Sequence, residues 1–248
     1  MRRMNRKGNK CKMTRTEQMH EKVYARMCAI DAFQGTDTVT LLRMRGCDSA
    51  RGERFHNIAH ARADAYVMDA YPFLIDDDEL IVGRRAPRIA LTEAEQAEYD
   101  ALRARIGTRV NGFGNASTGH RVIDYKKLLE KGVLGVLDEV RAYRAQIDWT
   151  REDDAERDIF YQACEIELEA LMRMADRFSR SLRARAGGDV CAWRREELND
   201  LADMLARVPA RSARSYYEAI QSIWFVQFVM CVACDDITLS GRLDQLLY

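Results

Sequence analysis

The side chains in this sequence best suited to chemistry fall into four groups. His56 and His60 stand four residues apart, the spacing that puts two imidazoles on one face of a helix where a metal ion could bridge them. Glu53 lies close by, but no HExxH pattern and no distant cysteine cluster completes a ligand set. The pair therefore reads as two polar residues on a helix surface, and no metal is expected. Cys231 and Cys234 form a CxxC at the end of the most apolar stretch, with no second CxxC to make a zinc site. Asp235 and Asp236 would raise a thiol pKa there, so packing rather than redox work is the expected role. The segment Asn111–Gly119 is rich in glycine and leads toward a helix start at Asp124, so its backbone amides could face an anion. His120, at the end of that loop, could exchange a hydrogen bond with a substrate oxygen. No strand is expected before the loop, which argues against a dinucleotide fingerprint. Last, Ser240-Gly-Arg-Leu-Asp-Gln245 joins a conformationally free glycine to Arg242 and Asp244, a charge pair two residues apart.

The elements that must position these groups are mainly helical. The chain has 248 residues, 47% of them hydrophobic, enough for one large or two modest domains. It has only three prolines (Pro72, Pro87 and Pro209) and is dominated by helix formers. Thr150 with Asp153 has the spacing of a capping box, and Phe160, Cys164, Leu168, Leu171, Ala175, Phe178 and Leu182 follow as one apolar stripe that Gly187 and Gly188 end. Thr92 with Glu95, Asp124 ahead of Leu128, Leu129, Val133, Val136, Leu137 and Val140, and Ser215 with Glu218 mark three more helix starts. Further helices are expected over Glu196–Arg207, stopped by Pro209, and over about Thr16–Asp31 and Ala50–Ala70. Strand signals are confined to Glu79–Gly83 and Asp236–Ser240, too few to build a sheet.

Charge and cysteine usage exclude several classes. Lys plus Arg equals Asp plus Glu, 39 of each, so no overall field recruits nucleic acid or an anionic membrane. Residues 1–15 are basic without interleaved aromatics and are expected to form a disordered tail ahead of one structured unit, 16–248. No apolar stretch follows them to make an export signal. Seven scattered cysteines, an odd number, point to a reducing cytoplasm rather than a disulfide framework. The longest apolar run, Ala219–Cys234, falls short of the ~20 residues that span a bilayer and is expected to be a buried helix.

Four segments taken in order resemble a known family. Val208-Pro-Ala-Arg-Ser-Ala-Arg-Ser-Tyr-Tyr-Glu-Ala-Ile-Gln-Ser-Ile-Trp-Phe-Val-Gln227, and then Gly241-Arg-Leu-Asp-Gln245, are similar to the VPxxPAxxFxEAxQxxWF and GRxDQ segments of the glycyl radical enzymes of the pyruvate formate-lyase type. Upstream, Asp77-Asp-Glu-Leu-Ile-Val-Gly83 resembles that family's DELIVG strand, and Gly119-His-Arg-Val-Ile-Asp-Tyr-Lys-Lys-Leu-Leu129 its GHxxxDYxxxL segment. The resemblance covers roughly residues 40 to 248.

It implies a ten-stranded β/α barrel, of which this chain would supply outer helices and the first barrel elements. It also implies a small-molecule substrate, a radical-SAM activase as partner, and a glycyl radical that makes a cysteine thiyl for lysis, dehydration or decarboxylation. In the family both radical residues follow the GRxDQ segment, so no catalytic residue is expected here. The expectation is an N-terminal portion, inactive alone, that a second chain would complete. Two lookalikes, Arg109-Val-Asn-Gly-Phe113 for the radical loop and Gly46-Cys47 for the thiyl motif, lie in the wrong part of the chain. By resemblance His120 is the substrate-binding candidate, while Arg242 and Asp244 support the barrel. Ser240 stands where relatives often have proline, which leaves the substrate subclass open. The helix after Ser215 would need cover on both faces, and an incomplete barrel would leave apolar area exposed for association. Rival readings are a non-catalytic helical scaffold that binds a partner, and a small-molecule binding module built on His120 and the glycine loop.

Overall fold

The computed structural model describes residues 13–106, 121–233, 238–239 and 241–247. Most of the basic tail, the glycine-rich loop with Arg109, Gly112 and His120, and Cys234 to Ile237 with Ser240 lie outside the described residues. The helices are α1 (Arg15–Ala32), α2 (Thr38–Ser49), α3 (His56–Ala70), α4 (Glu93–Ile106), α5 (Tyr125–Arg144), α6 (Asp154–Ala186), α7 (Ala192–Leu205), α8 (Tyr216–Val232) and the short α9 (Leu243–Leu246). Two strands of two residues each, β1 (Arg121–Val122) and β2 (Thr238–Leu239), pair in parallel with Arg121 opposite Thr238. None of the described helices is long and apolar enough to cross a membrane.

Local chemistry explains where the helices begin. Thr92 and Glu95 close the expected reciprocal box on α4, the Glu95 carboxylate accepting from the Thr92 N–H (2.9 Å) and the Glu95 N–H donating to Thr92 Oγ1 (3.3 Å). Asp124 caps α5 through the Lys127 N–H, and Ser215 caps α8 through the Glu218 N–H. Thr14 and Glu17 form another such box at α1, so the helix starts at Arg15, a residue inside the span expected to be tail.

Three expectations need correction. The Thr150 box does not form: its N–H and hydroxyl both donate to Asp148 Oδ1, closing a turn before α6, whose N-cap is Asp153. The expected Ala50–Ala70 helix is only α3 from His56 onward, preceded by a turn, and α2 was not anticipated at all. Its Thr-Val-Thr opening has weak helix propensity, but Asp37 accepts from the Thr40 N–H (2.8 Å) and packing against α3 decides the outcome. Glu79–Gly83, finally, is not a strand. Among the described residues no strand pairs with it; side chains of α8 hold the backbone of Leu80, Val82 and Gly83, and Arg194 of α7 holds the Glu79 carbonyl.

The core gathers around the 33-residue α6, packed by α3, α5 and α7. Leu171, Ala175, Phe178 and Leu182 of its stripe are buried, as is Met174 beside them, whereas Phe160 at the start is 55% exposed. Phe178 meets Phe73 edge-on at 5.1 Å and Phe225 of α8 at 5.8 Å, joining three parts of the chain in one aromatic cluster. The chain itself covers α8 on most sides: Phe225, Gln221, Ser222, Val229 and Val232 are at most 1% exposed, and the exposed aromatics are Tyr216, Tyr217 and Trp224. The large uncovered face expected of this helix is therefore reduced to a narrow aromatic edge.

Gly132 interrupts α5 with φ 68° and ψ 175°. The N–H groups of Val133 and Leu134, which the break frees from the helix ladder, donate instead to the carbonyls of Pro209 and Ala210, both at 2.9 Å. A Cβ on Gly132 would stand 2.4 Å from the Arg211 carbonyl carbon. Glycine is required twice over, by backbone conformation and by contact. Gly132→Ala is expected to destabilise the chain by about 3 kcal/mol or more, measured as a shift in urea midpoint at unchanged slope.

Candidate functional site

On α8, Tyr217, Gln221 and Trp224 recur at steps of four and three and so share one face. That face holds the segment Leu80–Gly83. The Tyr217 hydroxyl donates to the Leu80 carbonyl, and the Trp224 indole N–H donates to the Gly83 carbonyl at 3.0 Å. Between them Gln221, fully buried, accepts from the Val82 N–H and donates to the Val82 carbonyl, both at 2.8 Å. The glutamine amide thus does for Val82 what a neighbouring strand would do. Gly83 has φ 132°, and a Cβ there would lie 2.9 Å from the Trp224 ring, so this residue is the close approach that lets the segment lie on the helix.

The acidic turn before this segment is held from α7. Arg194, 2% exposed, donates to the carbonyls of Asp76 (2.6 Å) and Glu79 (2.9 Å) and pairs with Glu197 (2.8 Å). Sequence reading missed Arg194 and the partner of Gln221. The available signal was a polar side chain inside an otherwise apolar helical pattern, since such a residue must find hydrogen bonds when buried.

At the far end of α8, Arg43 of α2 donates to the carbonyls of Cys231 and Val232 at 3.1–3.2 Å. The guanidinium serves the free carbonyls of the helix end and faces the negative pole of its dipole. Cys231 is half-buried there, while Cys234 of the CxxC lies outside the described residues.

β1 begins one residue after His120, and β2 ends two residues before Gly241. Their parallel pairing brings the segment that follows the glycine loop beside the segment that leads into Arg242. Gly241 has φ 61°, and a Cβ on it would touch Val122 Cγ1 at 3.3 Å. Arg242 then folds back on Asp244 in a two-pronged pair, Nε to Oδ1 at 2.8 Å and Nη2 to Oδ2 at 2.6 Å. The hydrogen bond from Arg242 holds the Asp244 carboxyl below its ordinary range and raises the arginine in turn, so the pair is ionised at neutral pH. With side chains 68% and 63% exposed, it orients a turn more than it stabilises the fold.

The described residues offer no activated thiol among those that burial has shifted. Burial, reinforced by the charge of Asp64, pushes the Cys47 thiol up to about 11; burial with the charge of Glu167 pushes Cys164 up to about 11 as well. Gly46, beside Cys47, serves packing: a Cβ there would be 2.7 Å from the Ala63 carbonyl oxygen, so it lets α2 approach α3. His56 and His60 meet edge-on with centroids 6.3 Å apart, and His60 Nδ1 lies 3.1 Å from Asp64 Oδ2.

Comparison with known proteins extends the geometry. Residues 90–248 match the family described as pyruvate formate lyase-like. Over 142 residues, 56% of this chain and 18% of the relative, the sequence is 30% identical to the probable dehydratase YbiW of Escherichia coli K12. Over 127 residues, 50% of this chain and 15% of the relative, it is 32% identical to isethionate sulfite-lyase of Oleidesulfovibrio alaskensis. The fold matches the glycerol-bound, B12-independent glycerol dehydratase of Clostridium butyricum with TM-score 0.76 at 19% identity, over 92% of this chain and 36% of that one. The chain thus spans well under half the length of the relatives it matches.

Gln221→Leu keeps the volume near the original and strips the Val82 N–H and carbonyl of their partners. It is expected to cost about 2–5 kcal/mol, the penalty for two buried polar groups left unpaired, read from chemical denaturation.

Proposed function

This chain belongs to the pyruvate formate lyase-like family, and we propose that it forms the N-terminal wall of a glycyl radical lyase or dehydratase acting on a small organic substrate. In this reading α2 to α8 are outer helices, and β1 with β2 are the first two parallel strands of the ten-stranded barrel. The single observation that carries it is the pairing of β1 with β2 across more than a hundred residues of intervening helix. Parallel neighbours need a long crossover, usually helical, and such crossovers are how β/α barrels are assembled.

In that role the chain's residues position rather than react. His120, the residue just ahead of β1 in the chain, is assigned to substrate binding, Gly241 turns the chain after β2, and Arg242 with Asp244 braces that turn. The glycyl radical, installed by a radical-SAM activase, and the cysteine thiyl that takes hydrogen from substrate belong to other parts of the complete barrel. The structural use of Gly46 and the high pKa of Cys47 support this, because the one GC dipeptide here is a packing element between helices. The named relatives include both a dehydratase and a sulfite-lyase, which supports the reaction class and leaves the substrate open.

A second reading, a non-catalytic helical scaffold that binds a partner, draws support from the cover that the chain itself provides for α8.

Without a positioned thiyl nothing abstracts the substrate hydrogen, whatever the wall contributes. The purified 248-residue polypeptide, incubated without oxygen with an activase and S-adenosylmethionine, is expected to show no protein radical by electron paramagnetic resonance and no turnover of glycerol, propanediol or isethionate. A glycyl radical signal on this chain would overturn the assignment.

A further inference from the structure

The sequence pairs His56 with His60, but the structure assigns His60 to a different group. We propose that His60 and Asp64 of α3 and Glu167 of α6 form a binding site for a divalent transition-metal ion of the zinc or cobalt type, clipping the two helices together. The inference stands apart from the radical-enzyme reading, since it concerns the packing of α3 on α6 and none of the barrel elements.

Each of the three side chains offers one ligand atom, and these atoms lie within 4.8 Å of one another. Around a tetrahedral ion with bonds of ~2.0–2.1 Å, ligand atoms stand roughly 3.4 Å apart. Side-chain rotation of about an ångström, which the long glutamate permits, closes the difference. His60 and Asp64 share a face because they are one helical turn apart.

The second observation is the state of Asp64. It is only 8% exposed, and its Oδ2 is withdrawn from solvent and accepts no hydrogen bond. His60 Nδ1 stands 3.1 Å from that oxygen, near enough for an ion pair, with no hydrogen bond formed to it. Two ligand atoms so placed can direct their lone pairs at a common third point. A buried carboxylate oxygen without a donor is costly, and an ion bound beside it would satisfy it.

The donor set also selects the metal. Two carboxylates balance a divalent charge, and one imidazole favours zinc, cobalt or nickel over magnesium and calcium, which prefer oxygen throughout. Three protein ligands leave a fourth position for water or an incoming group.

The test is cobalt titration of the chelator-treated 248-residue chain, followed by visible d–d absorption. One equivalent of Co²⁺ is expected to give a saturating, low-symmetry spectrum that Zn²⁺ displaces, and either ion should raise the melting temperature. His60→Ala and Asp64→Asn are expected to weaken binding by about 100-fold, Glu167→Gln to weaken it less, and His56→Ala to leave it unchanged, with circular dichroism verifying the fold of each. In the unmodified chain, Zn²⁺ should shift the ring resonances of His60 far more than those of His56, a readout that needs no variant. Absence of cobalt absorption in the unmodified chain, binding that survives in Asp64→Asn, or shifts centred on His56 would each overturn the proposal.

Discussion

The arrangement depends on two hydrogen bonds between the Gln221 side chain and the backbone of Val82. Between Tyr71 and Leu91 the chain runs through the protein without helix and, apart from an antiparallel bridge of Ala90 to Asp37, without strand pairing, yet Tyr71 and Val82 are each 1% exposed. Backbone polar groups buried in that way must be paired. Tyr217, Gln221 and Trp224 supply the partners from α8, and the Tyr71 hydroxyl accepts from the Ala86 N–H. One helix face thereby fixes the path of a segment about 140 residues earlier in the chain. The same contacts fix the rotation of α8 about its axis, and with it the direction in which the chain leaves toward β2.

Arginines, one buried and two half-buried, extend this logic at the helix ends. Arg177 donates to the carbonyls of Met68 and Tyr71 at the end of α3, Arg43 to those at the end of α8, and Arg194 to the turn at Asp76–Glu79. Each guanidinium ties two elements through backbone carbonyl oxygens, and its planar fork can reach two at once. The many surface ion pairs differ in kind, being exposed on both sides and worth little each. Arg141 with Glu169 and Arg183 with Asp203 are of this sort.

Much of this was legible in the sequence, and the misses share a cause. Capping pairs at Thr92, Asp124 and Ser215 located helix starts because their chemistry is local: a side-chain oxygen and an N–H three residues on. The apolar stripe from Leu171 to Leu182 located the core for the same reason of periodicity. The expectation failed in two ways. At Thr150 a nearer local partner, Asp148, took the hydrogen bonds that a cap would have used, while tertiary contact outvoted local preference at α2, which formed despite a β-branched start, and at Leu80–Gly83, which has the composition of a strand and paired with a helix. The family resemblance matched the segment ending at Gly83 and the segment holding Gln221 separately, and that the two meet, with a glutamine standing in for a strand, is visible only in three dimensions. Of the candidate site, the Arg242–Asp244 pair was readable from spacing alone, whereas the partnership of His60 with Asp64 and Glu167 was not, because Glu167 is a hundred residues away.

The most direct test of this account is amide hydrogen exchange at Val82. If Gln221 holds that N–H in the core, it exchanges as slowly as the amides of Val226 and Val229 in the middle of α8, through global unfolding only. Exchange at the rate of the exposed turn at Arg51 and Gly52 would show that the segment is not held on α8, and the organisation derived from it would fall.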